Sequence, residues 1–161
     1  MTMWLRNVPS NVAPMPRRPG FAFAFSESVL NSTRFATVDQ DSGRAIGSTR
    51  FMSIVPEHRR LEIGWTWVAP AWQRTGANRE AKLLMLGHAF DTLGCRRVEF
   101  KTDSLNEPSR TALLGIGARF EGIFRNHMVM PDGRMRHSAY YSVIDDEWPA
   151  VRAGLERSLA R

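Results

Sequence analysis

The chain has 161 residues, of which 43% are hydrophobic and 24% charged, a balance that fits one globular domain with an ordinary core. No stretch approaches the roughly 18–20 consecutive apolar residues that span a bilayer, and the single cysteine, Cys95, excludes an internal disulfide framework and fits a reducing, cytoplasmic setting. Arginine supplies nearly all of the basic side of the net charge of +6, which suits a polyphosphate ligand or nucleic acid, or else reflects a compositional bias.

The N-terminal stretch differs in character from the rest of the chain. Residues 1–20 contain four of the nine prolines and show no clean periodicity. We therefore expect an irregular, proline-rich leader over residues 1–31 and one domain over residues 32–161. Within the leader, the apolar run at residues 21–25 is a candidate first strand.

Alternating patterns predict three strands next. Residues 32–38 and 44–54 flank the turn sequence Asp41-Ser42-Gly43, which predicts a hairpin. Residues 61–68 form the third strand, and strict alternation divides its side chains between two faces. One face would carry Leu61, Ile63, Trp65 and Trp67, and the other Glu62, Gly64 and Thr66.

Helical spacing then alternates with further strands. Asn78 is a candidate cap for a helix that ends at Gly94, and its apolar stripe consists of Leu83, Leu86, Phe90 and Leu93. The remaining elements are a strand at 97–103, a short helix at 108–114, strands at 118–130 and 135–144 around a Pro-Asp-Gly turn, and a helix at 148–159. The order β-β-β-α-β-α-β-β-α predicts a mixed α/β sheet, because its central strand–helix–strand unit implies a parallel pair.

The segment between the third strand and the first helix, residues 72–78, reads Trp-Gln-Arg-Thr-Gly-Ala-Asn. A helix start presents unpaired backbone N–H groups, which together with the helix dipole bind phosphate without a metal. Gly76 allows a tight turn and a close phosphate approach, while Arg74 and Arg79 can pair with the charge. Because dinucleotide and NTPase loop glycines are absent, this predicts a different pyrophosphate-bearing cofactor, or else a plain strand-to-helix connection.

Four segments in this order resemble the GNAT superfamily of N-acetyltransferases, and within it the RimJ/RimL-like branch of ribosomal-protein N-acetyltransferases. The pattern Gln73-x-x-Gly76-x-Asn78 resembles the acetyl-CoA pyrophosphate motif, commonly Gln/Arg-x-x-Gly-x-Gly/Ala. The others are 61–65 (Leu-Glu-Ile-Gly-Trp), 100–110 (Phe-Lys-Thr-Asp-x-x-Asn-x-x-Ser-Arg) and 116–122 (Ile-Gly-Ala-Arg-Phe-Glu-Gly). The resemblance implies a mixed, mostly antiparallel sheet with a central splayed parallel pair and flanking helices.

The resemblance also implies acetyl-CoA as cosubstrate, no metal, and a role for each matching residue. The pyrophosphate would lie on Gln73, Arg74, Thr75, Gly76, Ala77, Asn78 and Arg79. The backbone at Trp67 and Val68 would polarise the acetyl carbonyl. Asn106 would bind the pantetheine and Ser109 would stand near the sulfur, although helix capping is the alternative for both.

Glu62 is the candidate general base, because an acceptor ammonium must lose a proton before it can attack. The alternative is a solvated strand residue. Two features depart from the family: Asn78 replaces the commoner small residue, and the tyrosine acid usual in the short helix is absent. The two helices that normally follow the first strand also have no counterpart in residues 1–31, so we expect them to be shortened or missing.

The favoured function is transfer of an acetyl group from acetyl-CoA to a primary amine, either a protein N-terminus or a small molecule, by direct attack in a ternary complex. The alternative is a non-catalytic CoA-binding or interaction module with a truncated acceptor site. Scattered arginines without interleaved aromatic residues disfavour nucleic acid, and we expect no membrane partner. Apolar surface left by missing helices would favour a homodimer.

Overall fold

A seven-stranded mixed sheet organises the computed structural model, which describes residues 21–28 and 32–160. Its order is β1-β2-β3-β4-β5-β7-β6, in which β4 and β5 are parallel and all other neighbours are antiparallel. The strands are β1 Phe21–Ser28, β2 Ser32–Asp39, β3 Ala45–Val55, β4 Arg60–Val68, β5 Arg97–Asp103, β6 Arg119–Val129 and β7 Met135–Ile144. The helices are α1 Ala77–Gly87, α2 Glu107–Gly115 and α3 Trp148–Leu159. The predicted mixed sheet with a central parallel pair is confirmed.

Strand β1 extends this sheet into the stretch predicted to be a leader. It pairs with β2 from Phe21↔Asp39 to Ser28↔Ser32, which agrees with the candidate strand at residues 21–25. Only residues 29–31 separate β1 from β2, so the two helices that normally follow the first strand in the family, predicted to be shortened or missing, have no place between these two strands. The prediction for residues 1–20 lies outside the described residues.

The hydrophobic core lies between one face of the sheet and all three helices. Residues that pair across neighbouring strands share a face, as in the row Leu61↔Val98↔Val143. The helices contribute Leu83, Met85, Leu86, Leu113, Trp148, Val151 and Leu155 to the same core, and the C-cap residue of α2, Ile116, joins them. We call the side of the sheet that carries Leu61, Val98 and Val143 the helix face. None of the helices in the described part of the chain is long and apolar enough to cross a membrane.

The opposite side, here called the polar face, carries a row of charges. Glu62, Glu99 and Ser142 are paired across β4, β5 and β7. Glu99 is bridged by two neighbouring arginines, one of which, Arg97, also binds Glu121 on β6. This face therefore has a polar surface where the helix face has a core.

The end of α1 departs from the predicted stripe. Residues His88–Thr92 form a π-helical turn, in which each turn holds more residues than in an α-helix. This rotates the chain, so Leu93 is 53% exposed and not part of the stripe, whereas Leu86 and Phe90 are buried. Gly94 follows with φ +64° and ends the helix as predicted.

Candidate active site

A cleft opens in the sheet where β4 and β5 separate. These parallel strands pair only at Arg60↔Arg97, Leu61↔Val98 and Glu62↔Glu99. Beyond Glu62, β4 continues to pair with β3 and β5 with β7, so the two strands diverge. Their edge N–H and C=O groups along the cleft have no partner from the opposite strand. A ligand can therefore occupy a gap lined by backbone hydrogen-bonding groups.

A β-bulge in β4, inside this cleft, moves the side chains that follow it to the opposite face of the sheet. Arg50↔Gly64 is followed by Ser48↔Trp67, so β4 has an extra residue, and Trp65 has a left-handed φ of +50°. The prediction that both tryptophans share the face of Leu61 was wrong for this reason. Trp65 is 71% exposed and Trp67 55% exposed. The splayed half of β4 thus presents two large aromatic surfaces to solvent.

The loop that follows β4 leads to the start of α1 at the open end of the cleft. Gly76 is the N-cap residue, and Asn78 lies inside the helix, so the prediction of Asn78 as the cap was wrong. The Ala77 N–H donates to Thr75 Oγ1 at 3.2 Å. Within the described part of the chain, the N–H groups of Asn78 and Arg79 have no hydrogen-bond acceptor. These two donors are available to an anion.

The loop has a different turn residue from the one predicted. Gly76 has φ −68°, which any residue adopts, and the left-handed residue is Arg74 with φ +62°. Gly76 instead lies close to α3, as shown by the 3.2 Å that would separate a Cβ added to it from Leu159 Cδ2. The Gln73 side chain donates to the Val68 carbonyl at 3.1 Å and so braces the loop against β4.

The electrostatics of this end suit an anion. The side chains of Arg74 and Arg79 are exposed, and no carboxylate in the described ranges pairs with either. The buried Asn78 Oδ1 has no hydrogen-bond partner among the described residues, but as an acceptor it does not contribute to an anion site. Two free cations beside the free helix N–H groups fit a diphosphate. No group of three or more potential metal ligands occurs among residues 21–28 and 32–160.

The other wall of the open end is the start of α2. Asn106 is its N-cap, and its Oδ1 accepts the Ser109 N–H at 3.1 Å, so the capping alternative for Asn106 is confirmed. The Asn106 amide nitrogen and the Ser109 hydroxyl have no hydrogen-bond partner elsewhere in the described chain, and Asn106 is exposed. Capping uses only the Asn106 Oδ1 and the Ser109 backbone N–H, so the Asn106 amide nitrogen and the Ser109 hydroxyl are available to a ligand.

Glu62 lies at the apex of the cleft on the polar face. It is 4% exposed, and its Oε2 accepts from Lys101 Nζ at 3.2 Å and from the Ser53 hydroxyl at 3.4 Å. Its burial disagrees with the alternative of a solvated strand residue, and its role as a general base stays a prediction. The carboxylate is held rigidly by two donors from neighbouring strands.

Two neighbours of Glu62 were not predicted from sequence. Lys101 on β5 bonds to Glu62 and lies 6.0 Å from the centre of the Tyr140 ring. Burial raises the pKa of Tyr140, against the lowering effect of Lys101. Lys101 stands within the segment that carries the family resemblance, so strand alternation could have placed it on the face of Glu62. No sequence motif pointed to Tyr140.

Comparison with known proteins agrees with this geometry. A sequence profile for the acetyltransferase (GNAT) domain matches residues 3–119. The chain is 28% identical over 124 residues to the uncharacterized N-acetyltransferase YoaA of Bacillus subtilis (strain 168), covering 77% of this chain and 68% of that protein.

Two solved structures are closely similar. A GCN5-related N-acetyltransferase from Brucella melitensis shares 41% identity with a TM-score of 0.77, covering 80% of this chain and 58% of that one. A putative acetyltransferase from T. thermophilus shares 39% with a TM-score of 0.74, covering 80% and 66%. The chain thus spans about three fifths to two thirds of the length of these relatives. With the profile matching most of its length, the chain belongs to the GNAT family of N-acetyltransferases.

Proposed function

We propose that this chain transfers an acetyl group from acetyl-CoA to a primary amine by direct attack in a ternary complex. The observation that carries this proposal is the separation of β4 from β5 after Glu62↔Glu99, with the start of α1 at the open end. A ligand with a long arm between a diphosphate and a thioester matches a cleft with an anion site at its mouth and a carboxylate at its apex.

The diphosphate end would be held by the loop and α1. The free N–H groups of Asn78 and Arg79 point to anion binding at a helix start. The guanidinium groups of Arg74 and Arg79 add charge-assisted contacts from the solvent side. Gln73, Thr75 and Ala77 support these donors through the bonds that shape the loop, and the Gly76 carbonyl accepts the Glu80 N–H at the start of the helix.

The pantetheine arm would lie along the splayed edge of β4. Backbone groups near Trp67 and Val68 are proposed to hydrogen-bond the arm and to polarise the acetyl carbonyl. From the other wall, the Asn106 amide would donate to the arm. These contacts orient the thioester toward the apex, and acetyl-CoA supplies the activated acetyl group.

The chemistry at the apex needs one base and one proton donor. Glu62 accepts a proton from the acceptor ammonium, directly or through a water, so that the neutral amine can attack. A C–N bond to the acetyl carbon forms and the C–S bond breaks. The departing thiolate takes a proton, for which Ser109 is the proposed donor or hydrogen-bonding partner. No covalent enzyme intermediate and no metal enter this sequence.

The acceptor would approach from the polar face, where Glu62 and Lys101 lie. The proposal covers a protein N-terminus or a small amine, and placement in the RimJ/RimL-like branch is part of it. A cytoplasmic location, a homodimer, and the exclusion of nucleic acid and membrane partners stay predictions.

A second candidate is a non-catalytic CoA-binding module with a truncated acceptor site. One observation favours it: only residues 29–31 separate β1 from β2. Such a module would bind acetyl-CoA through the same cleft without turning over an amine.

Release of free CoA thiol from acetyl-CoA separates these candidates. The purified chain would be assayed against a panel of amino acids, polyamines and N-terminal peptides, with Gly76→Asp as the binding-deficient control. Amine-dependent thiol release that is lost in Gly76→Asp supports the enzyme. Measurable acetyl-CoA affinity without turnover of any amine would favour the module, and no affinity at all would contradict both.

A further inference from the structure

One buried lysine lies between α1 and the splayed half of β4, the two elements that would hold the diphosphate and the pantetheine arm. We infer that Lys82 is a positioning residue, which couples the start of α1 to the splayed half of β4 through Thr66 and so aligns the diphosphate and thioester ends of the acetyl-CoA site. This inference rests on the proposed function and assigns a residue to that site which the sequence patterns did not identify.

Lys82 is part of a compact hydrogen-bonded cluster between three elements. Its side chain, 3% exposed, reaches from α1 to the sheet. Nζ donates to Thr66 Oγ1 on β4 at 2.7 Å and to Thr49 Oγ1 on β3 at 3.2 Å, and the two hydroxyls lie 2.8 Å apart. We call Lys82, Thr49 and Thr66 the lysine cluster.

The bulge in β4 explains why Thr66 is available to this cluster. Strict alternation would place Thr66 on the polar face with Glu62, away from α1. The extra residue at Trp65 moves it to the helix face, where Lys82 contacts it. Thr66 itself stays exposed, because β5 no longer pairs with this part of β4. The hydroxyl that Lys82 holds therefore borders the cleft.

Lys82 supplies a fixed contact for a part of β4 that β5 no longer supports. Beyond Glu62, β4 has lost its ladder to β5 and keeps only β3 as a neighbour. The ammonium group ties this half-supported segment to α1, five residues after Ala77, where the helix begins. A rigid helix thus joins the anion site at its first turn to the strand beside Trp67 and Val68.

Packing alone does not account for a lysine at this position. No carboxylate in the described part of the chain pairs with Lys82, although a buried ammonium costs stability unless it is paired. An apolar side chain of similar length would fill the same space. Burial also lowers the pKa of Lys82 to about 7. A costly polar group that aligns a cleft is consistent with a functional role.

The inference predicts a selective defect in Lys82→Met. Methionine has a similar length but no donor. Affinity for ADP, which carries the diphosphate but lacks the pantetheine arm and the thioester, should stay within about twofold of wild type. Affinity for acetyl-CoA, or turnover of the best amine from the panel, should fall about tenfold, the size expected for losing a hydrogen bond. Both ligands can be titrated calorimetrically.

Matched variants separate positioning from general damage. Thr66→Val removes the hydroxyl and should reproduce the loss of acetyl-CoA affinity, whereas Thr66→Ser keeps the hydroxyl and should bind like wild type. The double variant Lys82→Met with Thr66→Val should be no worse than either single change. Met85→Leu changes another buried residue of α1 and should behave as wild type. Should Lys82→Met not fold, Thr66→Val carries the test alone.

Two results would overturn the inference. One is wild-type acetyl-CoA affinity and turnover in both Lys82→Met and Thr66→Val. The other is an equal loss of ADP and acetyl-CoA binding, which would mean that α1 as a whole is disturbed. If wild type binds ADP but not acetyl-CoA, the proposed function itself fails and the inference fails with it.

Discussion

Replacing Lys82 by methionine should change how the stability of the fold depends on pH. Burial lowers the pKa of Lys82 from 10.5 to about 7, and no other cause contributes. In the unfolded chain the same amine is hydrated and titrates near its ordinary value. Between these two pH values the unfolded state therefore binds more protons than the folded state. By linkage, the free energy of unfolding rises with pH across this interval.

The lowering of the pKa sets the size of the effect. The difference between a pKa of 10.5 in the unfolded chain and about 7 in the folded one corresponds to about 5 kcal/mol. Below pH 7 the free energy of unfolding is reduced by this full amount, and above pH 10.5 the reduction disappears. Methionine does not titrate, so Lys82→Met should lose this pH dependence. It also loses the hydrogen bonds to Thr49 and Thr66, worth about 1 kcal/mol each. The variant should consequently be the more stable protein at pH 6 and the less stable one near pH 10.

Urea denaturation followed by circular dichroism at several pH values between 6 and 10 measures this. The useful quantity is the difference in unfolding free energy between wild type and Lys82→Met at each pH, because titrations common to both proteins cancel. Met85→Leu serves as the control and should run parallel to wild type. Parallel curves for wild type and Lys82→Met would show that the buried amine does not titrate as argued.

Five further substitutions, at four positions, test the rest of the site. Gly76→Asp should weaken acetyl-CoA binding at least about hundredfold in calorimetry, because like charges would meet, whereas Gly76→Ala should bind normally, since only the flexible end of Leu159 must move. Glu62→Gln should lower turnover by about 10²–10⁴-fold with little change in acetyl-CoA affinity; unchanged turnover would remove it from the mechanism. Ser109→Ala should slow thiol release about tenfold without altering the melting temperature. Asn106→Ala should lower the unfolding free energy by about 1 kcal/mol through loss of the α2 cap.

Local rules acting on neighbouring residues were enough to predict most elements. The strand at Arg97–Asp103, the strand at Met135–Ile144 and the helix at Trp148–Leu159 coincide with the sequence predictions. The turn at Gly133, with φ +81°, forms the predicted hairpin. These features depend on periodicity and turn chemistry, which a short segment carries by itself. The motif spacing likewise carried the family resemblance.

The errors occurred where distant segments decide the outcome. Alternation put Thr66 on the wrong face, because the bulge at Trp65 is defined by pairing with β3. Helical spacing put Leu93 in the core, but the π-helical turn rotates it outward. Asn78 looked like a cap, although the chain enters α1 earlier, with Gly76 as the N-cap.

By itself, then, the sequence determined the order of strands and helices, the hairpin turns and the membership of a family, since each depends on residues close together in the chain or on a motif. Tertiary structure alone decided that β4 and β5 part after Glu62, that Lys101 reaches Glu62, and that Lys82 is buried beneath the cleft. The physical reason is that pairing, burial and ion-pair contacts depend on which distant segments meet, and no local pattern encodes that meeting.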